Sequence, residues 1–467
     1  MLFSSISFIY IFLPVLISCY YLVPAKLKNH VLLAASLIFY FSGEPIYVGI
    51  LILSSLSGYL HGLYIEKNRG KKSSKAALLS TVAINIGLLG FFKYTDFLIY
   101  NFNFLTGNEV PLLKIALPIG ISFYTFQIMS YTVDVYRGEV KAEGKFTTFA
   151  SYVALFPQLI AGPIVRYSDV SKALHNRTHS FSDISHGIRR FVIGLSKKVF
   201  IANSMGELCM AFRSADVQSV LFYWLYAIGF LFQIYYDFSG YSDMAIGLGR
   251  MFGFNFLENF NYPYISRSIT EFWRRWHMSL SSWFRDYVYI SMGGNRVSKS
   301  KHIRNILFVW MLTGFWHGAE WNFIIWGAMF GILLIMEKLF FNKVLERMPD
   351  AICRVYTMFI VLCSFVIFNA EGLEGAFTDL QGMFGVLPIH FWNEEAIYQL
   401  RNYAVLFFIA IIGSTPLLKN ICIKLKDWKV GTALLDMAEP VVMIALLLGV
   451  TAYLIDSSFN PFLYFRF

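Results

Sequence analysis

The sequence predicts an all-α, polytopic integral membrane protein, and two observations carry this prediction. Hydrophobic residues make up 57% of the 467 residues and charged residues only 15%, whereas a soluble domain has about 25% charged residues. Long apolar runs recur along the whole chain and lack the period-two alternation of a membrane β-barrel. A helix needs about 20 residues to cross a hydrocarbon core of roughly 30 Å, so these runs are read as membrane helices.

The positive charge of the chain fits the same fold class. The formal net charge is +10, but the lysines and arginines cluster in short loops between apolar runs, where cytoplasmic positive charge is expected. We therefore expect no nucleic-acid partner. The five cysteines have no CxxC spacing, so neither a disulfide framework nor a metal site is predicted.

The first apolar run, residues 1–23, lacks the basic start and cleavage site of a signal peptide and is expected to remain as a span. The basic loop 66–75 is placed in the cytoplasm. The mixed apolar and basic stretch 186–212 is expected to form an interfacial or cavity-lining helix. Further spans are expected at 31–42 and 46–64 as a hairpin, 76–92 with a continuation toward Tyr100, 217–236, 353–369, 400–415 and 433–455.

Prolines and glycines interrupt the apolar segments in the middle of the chain. Broken helices at membrane depth are tolerated where they line protein or a watery cavity, and we expect such pieces here. Charge bias places the N-terminus and the aromatic tail 456–467 outside the cytoplasm, which requires an even number of crossings. We expect ten or twelve crossings with re-entrant and interfacial helices, all in one membrane-embedded domain over residues 1–467. The interrupting residues are Pro118, Gly120, Pro157, Gly162 and Pro163.

The stretch 266–296 combines aromatic and basic residues with helical spacing. A basic aromatic helix suits a membrane interface, where His277 would be solvated. The other reading is a functional site, and the periodicity leaves both open. A continuous helix would carry Phe272, Trp276, Leu280, Trp283 and Tyr287 on one face and Arg274, His277, Ser281 and Arg285 on a polar stripe.

His317 lies in the apolar stretch 304–338. If Asn305 is near one interface, His317 is about 18 Å deeper at about 1.5 Å per helical residue. An ionisable residue at that depth indicates function, although a structural histidine bonded between helices is the alternative. An imidazole can take and return a proton near neutral pH, as acyl transfer to a hydroxyl requires. Gly314 and Gly318 would let a substrate or another backbone approach.

The stretch 233–249 places Asp237 and Asp243 directly after a strong span. One reading is a helix N-cap and a solvated interface acid; the other is support for a functional site. No phosphate-binding glycine loop and no Gly-x-Ser-x-Gly nucleophile elbow is present in the context that either requires.

Several stretches in order resemble the membrane-bound O-acyltransferase family, in the bacterial branch typified by the alginate O-acetyltransferase membrane subunit. A series of this kind is far more specific than one buried histidine. The stretches are FFKYTDF (91–97), LPIGISFYTFQIMSYTVDVYRGE (117–139), FPQLIAGPIVRY (156–167), residues 237–290, GGNR (293–296) and TGFWHGAEWNFIIWG (313–327).

The resemblance implies a ring of helices around a central funnel in a bacterial cytoplasmic membrane, with His317 as the catalytic histidine and His277 as the second motif histidine. It implies acetyl transfer from cytoplasmic acetyl-CoA, as donor substrate, toward an extracytoplasmic polysaccharide. A separate extracytoplasmic acetyltransferase would be the partner, and no bound cofactor is expected. The side chains expected to bind or support substrate are Asp237, Tyr241, Asp243, Trp273, Arg274, Trp276, Arg285, Trp316 and Asn322.

The chain ends in PFLYFRF (461–467), which resembles the aromatic C-terminal motif of the same branch. We hypothesise that Tyr464 accepts the acyl group transiently or docks the partner; an interfacial aromatic anchor is the alternative. Two other functions stay open. One is D-alanyl transfer to teichoic acid from a carrier-protein thioester. The other is a transporter or flippase, which broken helices and a buried histidine also fit, although no inverted repeat is detectable.

Overall fold

The computed structural model describes residues 1–456 and 462–463, and every regular element in these ranges is helical. The all-α prediction is confirmed. Short π-helical or 3-10 turns extend or join several of the helices. The α-helices are α1 Leu13–Leu22, α2 Lys28–Phe41, α3 Val48–Lys67, α4 Lys72–Thr106, α5 Ile121–Arg137, α6 Phe146–Ala154, α7 Phe156–Leu159, α8 Tyr167–His175, α9 Phe181–Ser196, α10 Ser204–Ser214, α11 Val220–Met251, α12 Ile269–Arg275, α13 Met278–Trp283, α14 Lys299–His317, α15 Trp321–Met336, α16 Asn342–Leu345, α17 Asp350–Asn369, α18 Gly372–Met383, α19 Glu394–Gly413, α20 Leu417–Lys426 and α21 Lys429–Asp456.

Six helical segments in the described part are long and apolar enough to cross a membrane by themselves. This confirms a multi-pass membrane protein, whereas the ten or twelve crossings and the side of each loop stay predictions. A shorter apolar helical segment covers Phe8–Leu22. The six segments are Val48–Lys67, Lys72–Thr106, Trp321–Leu345, Asp350–Asn369, Glu394–Gly413 and Lys429–Asp456.

Two helices run further than the hydropathy pattern predicts. Helix α4 passes both Phe92 and Tyr100 and ends at Thr106; the next residue, Gly107, has a φ of +71°, which suits the left-handed turn that closes many helices. Helix α11 continues through the whole 237–249 motif to Met251. In both helices polar residues near the predicted end do not stop the helix, because polarity alone removes no backbone hydrogen bond.

The described chain divides into two compact units, Met1–Phe191 with Met244–Leu257, and Val192–Asp243 with Glu258–Phe467. The prediction of one domain over 1–467 stays a prediction. Within the first unit, α5 begins after Gly120, which has a φ of +78° and would place a Cβ 2.7 Å from the Leu159 carbonyl oxygen. Pro157 lies in the first turn of the short helix α7. The predicted interruptions of the middle region are therefore present as helix ends.

Within the second unit, α14 and α15 form a helical hairpin that reverses between His317 and Trp321. Gly314 and Gly327 face each other with their backbones in contact, since a Cβ on Gly314 would lie 3.1 Å from the Gly327 Cα. The glycine beside His317 thus admits a neighbouring helix backbone, one of the two predicted roles. The second arm continues through a π-helical turn to Leu345 and is long enough to cross a membrane by itself.

We expect Gly314→Ala to destabilise the protein, because its added methyl group would lie 2.2 Å from the Phe323 carbonyl oxygen. Overpacking of this kind costs about 1–3 kcal/mol, which a lower midpoint of thermal unfolding in detergent would report. The control is Gly87→Ala in α4, where a methyl group meets nothing within 4 Å. That variant should be neutral or slightly stabilising, since alanine is the better helix former. Equal midpoints for the two variants would contradict the close helix contact.

Candidate active site

His277 lies in a break of the helix, and the continuous helix expected over 266–296 is wrong. Helix α12 ends at Arg275, α13 starts at Met278, and His277 has a φ of +43°. The side chain is only 1% exposed, so the solvated reading is also wrong. A left-handed conformation is costly for histidine and persists only where surrounding contacts hold it.

Asn259 supplies those contacts. Its Oδ1 accepts hydrogen bonds from the backbone N–H of Ser279 at 3.2 Å, from Ser279 Oγ at 2.9 Å and from His277 Nδ1 at 3.1 Å. Its carbonyl oxygen also accepts the Met278 N–H at 3.0 Å. Asn259 therefore satisfies N–H groups of the first turn of α13, which would otherwise be unpaired in a buried position.

The same bonds fix the tautomer of His277. Because Asn259 Oδ1 can only accept, Nδ1 carries the proton and Nε2 keeps a lone pair. Nε2 is buried and has no hydrogen-bond partner among the described residues. Burial lowers the pKa of His277 to about 3, so the ring is neutral at physiological pH. The ring is suited to accept a hydrogen bond and is too weak a base to hold a proton.

His317 is the last residue of α14 and is 7% exposed. Its ring lies among aromatic rings, with centroid distances of 5.0 Å to Trp316, 5.3 Å to Trp326 and 5.2 Å to Phe368. The ring lines a cavity of about 20 Å³ together with Asp237, which has room for about one water molecule. The helical path from Asn305 to His317 is as predicted, while the depth in the bilayer stays a prediction.

The two histidines line different cavities of the second unit. His277 lines a cavity of about 430 Å³, and Trp316 lies next to both histidine rings, with its centroid 6.1 Å from that of His277. The Trp326 ring links the two cavity linings. Its centroid is 5.6 Å from that of Trp273, which lines the larger cavity, and 5.3 Å from that of His317, which lines the smaller one. An aromatic wall therefore separates a roomy cavity from a narrow one.

Asp237 and Asp243 lie inside α11, so the N-cap and solvated-acid reading is wrong. Asp237 is 3% exposed, and its Oδ1 pairs with Lys198 Nζ at 2.5 Å. Asp243 Oδ2 pairs with Lys197 Nζ at 2.7 Å. A buried charge is tolerated when it is paired, which explains how Asp237 fits within the helix. Asp243, whose side chain is 15% exposed, is paired in the same way. Lys198 is itself buried and faces the interior of the unit, while the interfacial placement of the stretch 186–212 stays a prediction.

The remaining predicted side chains divide by cavity. Trp273, Arg274 and Arg285 line the larger cavity, and Trp276 lines the smaller one. Asn322 lies in neither lining; its Nδ2 donates to the Ala370 carbonyl oxygen at 3.1 Å and ties α15 to the end of α17. Tyr241 is buried against other side chains of the unit. Tyr464 lies outside the described residues.

Residue-by-residue reasoning on the sequence missed three members of the site. Asn259 stands within a quoted motif, but a bond to His277 across 18 positions has no local signal. Lys198 is a charged residue within a mostly apolar stretch, and such a charge indicates that a buried partner of opposite charge is present. Phe368 belongs to an ordinary apolar span, and nothing in its sequence context marks it.

Comparison with known proteins gives a consistent picture. The family model for the membrane-bound O-acyltransferase family (MBOAT) matches residues 121–373. The probable alginate O-acetylase of Azotobacter vinelandii is 41% identical over 88% of this chain and 84% of its own length. The peptidoglycan O-acetyltransferase of Helicobacter pylori is 33% identical over 100% of this chain and 98% of its own. The teichoic acid D-alanyltransferase of Bacillus subtilis is 31% identical over 54% of this chain and 69% of its own.

We expect Asn259→Ala to lower stability by about 1–3 kcal/mol, because it removes the oxygen that accepts the Ser279 N–H and the buried His277 Nδ1–H. Thermal unfolding in detergent measures this loss. Ser282→Ala is the control: its hydroxyl only donates to the Ser279 carbonyl oxygen at 2.9 Å, so its removal leaves no N–H group unpaired. A loss no greater than that of the control would show that Asn259 does not hold the break at His277.

Proposed function

The chain belongs to the membrane-bound O-acyltransferase family, and from this premise we propose that it moves an acetyl group from a cytoplasmic thioester donor across the membrane for O-acetylation of an extracytoplasmic polysaccharide. The observation that supports this most directly is the pair of motif histidines, each lining its own cavity on either side of an aromatic wall. Donor and acceptor can then approach one reaction centre by separate routes.

The similar proteins favour acetyl as the acyl group. Two relatives that match 88% and 100% of this chain are named as acting on alginate or peptidoglycan by O-acetylation. The D-alanyltransferase relative matches only 54%. D-alanyl transfer from a carrier-protein thioester is therefore the second candidate, and a transporter without acyl chemistry does not fit membership in an acyltransferase family.

The larger cavity suits the donor. Acetyl-CoA is anionic through its phosphates, and arginine recognises phosphate with several donors at once. Arg285 already pairs with Asp286, Nε to Oδ1 at 2.6 Å, while exposed Arg274 has no ion-pair partner in the described part of the chain. We assign Arg274 to the donor phosphates. His277, through the lone pair on Nε2, would accept a hydrogen bond near the thioester end.

His317 would act as the general base. The neutral imidazole takes the proton of an acceptor hydroxyl as its oxygen attacks the acyl carbon; the carbon–sulfur bond then breaks, and the proton passes to the leaving thiolate. The surrounding rings would leave room for about one water molecule at this step. Asp237 lines the same cavity, and its negative charge is balanced by Lys198.

Delivery to the polymer would take place outside the cytoplasm, through a separate extracytoplasmic acetyltransferase. Tyr464, as transient acyl carrier or docking residue for that partner, stays our hypothesis. We also propose that the helices surround a central funnel and that the acceptor is a polysaccharide.

We expect His317→Ala to lower acetylation of the surface polysaccharide by roughly 10²–10⁴-fold, since it removes the proton acceptor. Mass spectrometry of surface glycans from cells expressing each variant measures the acetyl content and identifies the acyl group. His390→Ala, in an exposed loop, is the control for expression and membrane insertion. Undiminished acetylation at normal expression would remove His317 as the base, and D-alanyl esters in place of acetyl esters would favour the second candidate.

We expect Arg274→Gln to raise the KM for acetyl-CoA about 10-fold with little change in kcat, because about 1.4 kcal/mol of donor binding is lost. Donor titration with purified protein in liposomes provides both constants. Arg275→Gln is the matched control: Arg275 Nη2 pairs with Glu271 at 2.8 Å and does not line the cavity. An unchanged KM would place the donor elsewhere.

A further inference from the structure

The C-terminal residues Phe462 and Leu463 are buried in the second unit, 1% and 8% exposed. The Leu463 N–H donates to Asp237 Oδ2 at 2.8 Å. The Phe462 ring meets the Tyr241 ring edge-on, with centroids 4.5 Å apart, and Lys198 Nζ lies 4.7 Å from its centroid. Three side chains from two helical segments therefore hold this short stretch by one hydrogen bond and two ring contacts.

Asp237 has two tasks in this arrangement. Oδ1 balances the buried charge of Lys198, and Oδ2 accepts the backbone N–H of Leu463. A buried N–H without an acceptor is costly, and so is a buried ammonium group without a counter-charge. The carboxylate thus joins Leu463 to α11 in a buried place.

Leu463 is also part of the wall around His317. The lining of that cavity comes from α11, α14, α15 and α17, with two members outside these helices, Trp276 and Leu463. The cavity volume is about 20 Å³, enough for about one water molecule and too small for an acetyl group. A wall member must therefore withdraw before an acyl group can reach His317, and Leu463 is a member outside these helices whose backbone N–H is bonded to Asp237.

We propose that Phe462 and Leu463 form a tethered wall of the His317 cavity and that Asp237, balanced by Lys198, is the positioning residue that holds this wall in place. The inference rests on the proposed acyl transfer. The tether limits how far the wall withdraws when an acyl group enters, which keeps bulk water from that group at His317. When the tether is lost, a water oxygen attacks the acyl carbon, the carbon–sulfur bond breaks, and the donor is lost as free carboxylate and thiol.

A matched pair of variants separates the tether from the ion pair. Lys198→Met with Asp237→Asn removes both charges but keeps a side-chain oxygen that can accept the Leu463 N–H. Lys198→Met with Asp237→Leu removes both charges and the acceptor, and such apolar replacements of buried pairs are often tolerated by the fold. Each pair is combined with Leu463→Cys, which preserves the backbone N–H, and maleimide labelling at position 463 is followed by mass spectrometry.

We expect the asparagine pair to label as slowly as Leu463→Cys alone and the leucine pair to label about 10-fold faster, the ratio for about 1.4 kcal/mol. In the leucine pair, but not in the asparagine pair, the ratio of donor hydrolysis to acyl transfer should also rise about 10-fold. Lys197→Met with Asp243→Asn, on the same two helical segments, controls for charge removal and should label slowly. Equal labelling of the two matched pairs overturns the tether.

A second variant covers a folding failure of the leucine pair. Phe462→Ser leaves both helices intact and removes the ring between Tyr241 and Lys198, so it should also speed labelling; slow labelling there overturns the inference. Labelling does not depend on catalysis. Retained acetylation in His317→Ala would therefore refute the role of His317 as general base, even if the labelling difference stands. Equal labelling would refute the role of Asp237 as tether, even if acetylation persists.

Discussion

The amide of Asn259 is the contact on which the arrangement of the aromatic segment depends. Its oxygen accepts the Ser279 N–H of α13 and the ring N–H of His277, and these bonds stabilise the break at His277. On the N-terminal side of this break, Trp273 lines the larger cavity and Trp276 the smaller one. The aromatic segment therefore contributes a ring to the cavity of each histidine.

The histidines differ in their surroundings, and their chemistry differs accordingly. His277 is locked by a hydrogen bond that fixes its tautomer, so it can only receive a hydrogen bond at Nε2. His317 is held by rings on several sides, at the end of a stiff helix. A division of labour between a fixed acceptor and a proton carrier fits a reaction with two substrates on either side of one wall.

Hydropathy located the apolar helices well because burial in lipid is encoded locally, residue by residue. Hydropathy failed where a residue distant in sequence decides whether a helix continues or breaks. The acids Asp237 and Asp243 resemble the end of a span until Lys198 and Lys197, about forty positions earlier, neutralise them inside α11. The break at His277 was hidden for the same reason, since the aromatic periodicity runs through it and the deciding residue, Asn259, lies outside that pattern.

The backbone contact between Gly314 and Gly327 has a consequence for motion. Because the main chains of α14 and α15 already touch at these two glycines, neither helix can move closer to the other. His317 is the last residue of α14 and shares this restriction. A change in the space around its ring would have to come from the other segments that line its cavity.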